Sequence, residues 1–191
     1  METQHYLQAM IEHGQMSIGL KTYINGILTE YFFKKNDRIF LETFVHSGAF
    51  RINEGMVRLF ASKDQSGEEN TVYIWQQGAF IPQGRIAERS GRSLYFHFLE
   101  DTILQGISAQ HLPIIYRVFP EYILLNQSIQ SDTIGELLLH LVCLSGTKAE
   151  ERFAYLQSRH KALQRCVAQK YIASFLGMDI KTYSRLRAKK H

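Results

Sequence analysis

Cysteine is almost missing from this chain, with only Cys143 and Cys166 in 191 residues. Two cysteines make neither a disulfide framework nor a four-ligand metal or iron–sulfur site, which fits a reducing compartment. Long apolar runs are missing as well. The longest, Leu137 to Leu144, is broken by His140 and falls far short of the ~20 residues that span a bilayer. The opening stretch METQHYLQAMIEHGQ lacks a basic region followed by an apolar core, so no export signal is expected and the cytoplasm is the expected location. GxSxG, HExxH, GxGxxG and GxxxxGK[ST] do not occur, so the commoner hydrolase, zincin and nucleotide-binding fingerprints are excluded. The eight histidines are scattered, and His97, between Phe96 and Phe98, reads as a strand residue rather than a metal ligand. No enzymatic activity, metal or cofactor is expected.

What is present is an ordinary globular composition, 45% hydrophobic, with enough chain for one large domain or two small ones. The net charge of +4 is unevenly spread. Arg159 to His191 holds nine basic residues and one acid, Asp179, for a net +8, which leaves −4 on the other 158 residues. A basic end on an acidic body suits contact with a polyanion, although a merely solvated basic tail has the same composition.

Three regions differ in periodicity. Residues 4–30 carry apolar residues (Tyr6, Met10, Leu20, Ile24, Leu28) at mostly helical spacing, loosened by Gly14, Gly19 and Gly26. From Phe32 to Ile107 the pattern is one of short aromatic and β-branched strands, punctuated by Ser66-Gly67, Gly78, Gly84 and Gly91. There Phe50 and Ile52 precede, and Val57 and Leu59 follow, a predicted hairpin turn at Asn53-Glu54-Gly55. Strands so spaced predict a small antiparallel barrel or roll. Helical character returns at Ser108, and Pro120 is placed to open a long helix ending at Leu144. An apolar stripe on so long a helix calls for a large body or a second copy of itself, and core packing and a dimer seam both remain open. After Ser145-Gly146, Thr147 and Glu150 form a T-x-x-E capping box for a helix carrying Ala149, Phe153 and Leu156.

The strongest local signal is QKYIASFLGMDIKTYSRL, Gln169 to Leu186. A helix-turn-helix needs a small residue where the helices touch, a glycine for the turn, and apolar residues facing the core. Ala173 and Gly177 fill the first two roles, and Ile172, Leu176, Met178, Tyr183 and Leu186 the third. Asp179 is placed to cap the second helix. The outward residues Lys181, Thr182, Ser184, Arg185 and Arg187, with Lys189 and Lys190 beyond, are all hydrogen-bond donors and none is acidic. Gln169 and Lys170 open the first helix. That set suits phosphates and guanine edges, and a helical hairpin with a basic solvated side is the alternative.

These residues resemble the C-terminal helix-turn-helix of the cyclic-AMP receptor protein/FNR (Crp/Fnr) family of bacterial transcription regulators, in a short type without a β-wing. KKNDRIFLETF, FRINEGMVRLF and LEDT follow, in order, that family's cyclic-nucleotide-binding β-roll, and Ser108 to Ser145 stands where it has a short helix and its long dimerisation helix. The resemblance implies an α+β fold: a cupin-like antiparallel β-roll (double-stranded β-helix), a long dimerisation helix and a C-terminal helix-turn-helix. The expected division is 1–118, 119–146 and 147–191. The expected partners are double-stranded DNA carrying an inverted repeat, a second copy of the chain, and RNA polymerase, with no membrane.

In that family a Gly-Glu-Leu turn and a later Arg-Ser/Thr-Ala hold a cyclic nucleotide. Here the turn reads Gly78-Ala79-Phe80, and Arg92-Ser93 is followed by Leu94. Without the glutamate, cyclic AMP is not the expected ligand. Arg85, Arg89, Arg92 and Ser93 remain a candidate site for another anion, beside the reading of solvated arginines on a loop. The reading helix departs too, carrying Ile180-Lys181 where the family has an Arg-Glu pair, so a different operator is expected. A binding module of the same fold without specific DNA recognition is the alternative function.

Overall fold

A computed structural model describes residues 3–41, 43, 49–62, 68–81 and 92–189. The N-terminal helical stretch is two helices, α1 (Thr3–Ile11) and α2 (Ile18–Ile27). Ser17 caps α2 by accepting the Leu20 N–H at 3.1 Å. The expected helix to residue 30 ends early, because Leu28 already opens strand β1 (Leu28–Phe33), where Thr29, Tyr31 and Phe33 suit the pleat better than a helix.

Seven more strands follow: β2 (Arg38–Phe40), β3 (Ala49–Glu54), β4 (Met56–Ser62), β5 (Glu69–Gln76), β6 (Phe80–Ile81), β7 (Ser93–Phe98) and β8 (Thr102–Ile107). They form two four-stranded antiparallel sheets in the orders β1-β8-β3-β6 and β2-β7-β4-β5. The expected roll is therefore present. The Asn53–Gly55 turn is not a hairpin, however: β3 pairs with β8 and β6, whereas β4 pairs with β5 and β7. It is a corner at which the chain passes from one sheet to the other. A second corner, Leu99 to Asp101, lies against it, with Leu99 N–H donating to the Met56 carbonyl at 2.9 Å. Gly55 has φ +91°, and a Cβ there would meet the Thr102 hydroxyl at 2.5 Å and the Asp101 carbonyl at 2.6 Å. The anticipated breaks at Ser66-Gly67, Gly84 and Gly91 lie outside the described residues.

Phe50, Ile52, Val57, Leu59, Phe96, Phe98 and Leu104 fill the roll. After a 3₁₀ turn (Ala109–His111) come α3 (Leu112–Val118) and α4 (Glu121–Leu144), whose N-cap is Pro120. The long helix has 24 residues, roughly 36 Å at ~1.5 Å per residue. Its first half turns Tyr122, Leu125 and Ile129 onto α1, α2 and α3, in a second core with Tyr6, Met10, Leu20, Ile24 and Ile115. Beyond it the expected capping box is displaced by one residue. Lys148 N–H donates to the Glu151 carboxylate at 3.2 Å at the head of α5 (Ala149–Arg159). Thr147 turns the other way and gives its hydroxyl to the Cys143 carbonyl, closing the end of α4.

Gly55→Ala is expected to destabilise the protein by on the order of 1–3 kcal/mol, read as a lowered melting temperature, because both the φ value and the facing corner oppose a side chain.

Candidate nucleic-acid interface

Beyond α5, a single turn α6 (Leu163–Cys166) leads to α7 (Gln169–Phe175) and α8 (Ile180–Ala188). All seven positions chosen for helix-turn-helix roles serve them. Ile172, Ala173, Leu176, Tyr183 and Leu186 are buried, and Met178 packs against them. Gly177 has φ +58°, and the Met178 N–H closes the turn on the Ala173 carbonyl at 3.0 Å. A residue missed in the sequence holds this turn from outside. Arg152, on α5, donates through Nη1 to the carbonyls of Leu176 (2.9 Å) and Gly177 (2.7 Å), which α7 leaves unpaired at its end. No local signal marks Arg152, since its partners lie 24 and 25 residues away.

Asp179 caps α8. One carboxylate oxygen accepts the Thr182 N–H at 2.9 Å, and the other accepts the Thr182 hydroxyl at 2.7 Å. The hydrogen bonds from the Thr182 hydroxyl and N–H hold the Asp179 carboxyl below its ordinary range. With Tyr183 and Leu186 anchored inward, Lys181, Ser184, Arg185 and Lys189 are exposed on the other side, and Thr182 and Arg187 are half-buried. The Thr182 hydroxyl is thus engaged by the cap. Ser184 donates to the Gln169 side chain at 3.1 Å, so Gln169 braces α8 from α7. Lys170 Nζ lies 4.8 Å from the centre of the Tyr171 ring. Eight of the nine side chains expected there gather on one pair of helices with no acidic neighbour on the outer face of α8, and Lys190 lies outside the described residues.

The anion site is not brought together in the same way. Arg92 precedes β7 and Ser93 opens it, both half-buried, while Arg85 and Arg89 lie outside the described residues. A cavity of about 300 Å³ lies elsewhere, between the β5–β6 turn, α4 and the end of α5. His13, Trp75, Gln77, Asp132, Glu136 and His160 are among its walls, and neither Arg92 nor Ser93 is.

Three buried histidines face α7: His160, just past α5, meets the Phe175 ring edge-on at 5.5 Å between centres, and the other two lie deeper. His97, on β7, is 2% exposed and meets the Tyr171 ring edge-on at 5.4 Å between centres. His140, on α4, is 2% exposed and stacks on Phe175 at 4.1 Å. Burial pushes both imidazoles down to about 4; the charges of Arg38 and Arg58 add to the effect at His97, and His160 adds to it at His140. Both are therefore neutral packing groups, His97 in its expected strand.

No family model and no curated protein matches the sequence. Solved structures do share its architecture. FixK2 from Bradyrhizobium japonicum superposes with a TM-score of 0.67 at 16% identity, over 86% of this chain and 85% of that one. The c-di-GMP-responsive global regulator CLP from Xanthomonas campestris gives 0.62 at 13% identity, over 96% and 91%. A transcriptional regulator of the CRP/FNR family from Thermus thermophilus gives 0.58 at 18%, over 84% of each chain. The chain has the fold of these regulators, a cyclic-nucleotide-binding-like roll joined through a long helix to a helix-turn-helix.

Since an unfolded histidine titrates near 6.5, the neutral state of His97 and His140 contributes stability that is complete above that pH and is lost as pH falls towards 4. Denaturant midpoints measured between pH 7 and 4 should fall steadily, and a His97→Phe/His140→Phe double variant should flatten the decline.

Proposed function

We propose that the chain is a homodimeric, sequence-specific DNA-binding transcription regulator whose β-roll acts as the sensor. The observation that carries this reading is α8: its inner side is anchored by Tyr183 and Leu186, its N-terminus is capped by Asp179, and Lys181, Ser184, Arg185 and Lys189 are all exposed on the outside. A rigid helix so armed fits the major groove, where Lys181 and Arg185 would select bases, and Lys170, Arg187, Lys189 and Lys190 would neutralise phosphates.

The dimer is supported by the second half of α4. Ile134, Leu138 and Leu141 are 52%, 55% and 58% exposed, at the four- and three-residue spacing of a coiled-coil seam, and Val142 beside them is 66% exposed. Gly135 lies in the same stretch with open space where a side chain would project. Two copies paired there would present two α8 helices to successive major grooves of an inverted repeat, about 34 Å apart. Residues 1–118 are assigned to the sensor, 119–146 to the dimer helix and 147–191 to DNA. The site of action is the cytoplasm, with RNA polymerase as the partner of the DNA-bound dimer; no helix among the described residues is long and apolar enough to cross a membrane.

Selection of bound duplexes from a random pool is expected to return an inverted repeat, and a pool with no enriched sequence would favour a binding module instead. Arg185→Ala is expected to relax the preference at one base pair by about 1–3 kcal/mol, whereas Lys189→Ala should weaken all sequences alike and flatten the salt dependence. Leu138→Glu, at a position already exposed in the subunit, should yield a folded monomer by sedimentation and lose the preference for paired sites.

A further inference from the structure

We infer that Arg58 is a positioning residue for DNA reading, one that fixes which separation of half-sites the dimer accepts. The inference rests on the dimeric DNA reading above. Arg58, on β4, is the largest fully buried side chain among the described residues. Its guanidinium lies between two rings, 4.6 Å from the centre of Phe60 on its own strand and 4.0 Å from that of Tyr171 on α7. In the guanidinium plane, Nε donates to the Thr71 hydroxyl at 2.8 Å and Nη1 to Glu69 at 2.8 Å. Glu69 is held from its other oxygen by Arg38 at 2.7 Å. Thr71 then grips α7 twice. Its N–H donates to the Ser174 hydroxyl at 2.8 Å, and its own hydroxyl donates to the Tyr171 carbonyl at 3.3 Å.

A planar guanidinium between two faces, with Nε and Nη1 fixed by hydrogen bonds, resists rotation of either ring, which a lysine ammonium in the same place would not. The roll therefore sets the orientation of α7 together with the His140–Phe175 stack from α4, and α7 carries α8. The covalent link cannot do this. Between α4 and α5 the chain runs only through Ser145 to Lys148, where Gly146 takes φ +77° with nothing within 4 Å of its would-be side chain. In a dimer paired along α4, a swing at that link would move the two α8 helices relative to one another. Each base pair added between half-sites turns one of them by about a tenth of a helical turn. A fixed α7 thus accepts one spacing, and a loose one accepts several.

The test uses the full chain and a duplex pool in which the selected half-site is repeated at a series of separations. Wild type should enrich one separation. Arg58→Met, Arg58→Lys and Tyr171→Ala should lose that preference while binding a single half-site within about twofold of wild type. Tyr171→Phe, which keeps the ring, should retain it. Methionine fills much of the space and leaves Glu69 its bond to Arg38, so the first variant has no unpaired carboxylate. Ser174→Ala, at a half-buried position, removes one grip without touching the stack and should broaden the accepted separations even if Arg58→Met fails to fold. Unchanged spacing in these variants, or loss of single half-site binding together with spacing, would overturn the role given to Arg58. A wild-type chain that enriches no half-site at all would instead overturn the regulator reading, and the spacing inference with it.

Discussion

Helix α7 must satisfy two partners at once, and the rest of the molecule is arranged around that demand. Seven residues are too few to hold a helix in water on their own propensity. Ile172 and Ala173 lie in the core shared with Tyr183 and Leu186 of α8, while Tyr171 and Phe175 meet Arg58, His97 and His140 on the roll and the long helix. Neither contact set is complete without the other. The orientation of the outward cations on α8 is thus inherited from the roll through one short element, and Arg152 secures the turn that passes it on.

The distribution of charge follows the same logic. The groups that meet this junction from the inside are kept neutral or neutralised: His97 and His140 by burial, Arg58 by Glu69. The cations of α8 are left in water instead, where a polyanion can reach them. An unneutralised charge at the junction would oppose the docking of α7, whereas a charge on the outer face of α8 stays hydrated and costs the fold far less.

Much of this was legible in the sequence, for identifiable reasons. The helix-turn-helix has seven local constraints within eighteen residues, each tied to one residue type, and all of Ile172, Ala173, Leu176, Gly177, Met178, Tyr183 and Leu186 meet them. The strand content and the long helix followed from period and length. What failed depended on partners distant in sequence. Asn53-Glu54-Gly55 has the composition of a hairpin, and only the pairing of β3 with β8 shows it to be a corner. Thr147 suited an N-cap by spacing, but the end of the preceding helix took its hydroxyl. Arg58 carried no signal, because a lone arginine in a strand reads as an exposed one until Tyr171, over a hundred residues later, is seen to cover it.

The apolar interior runs without a break from Phe50 and Phe98, inside the roll, to Phe175 and Leu186 beneath the outward cations. The roll and the helix-turn-helix, so joined, have no seam between them along which to come apart. Heat or urea should disrupt the roll and the helix-turn-helix in a single concerted transition, and no intermediate with one melted and the other intact should accumulate. Damage deep in the roll, away from the contact of Arg58 with α7, would then reach the outer face of α8 as a loss of folded protein.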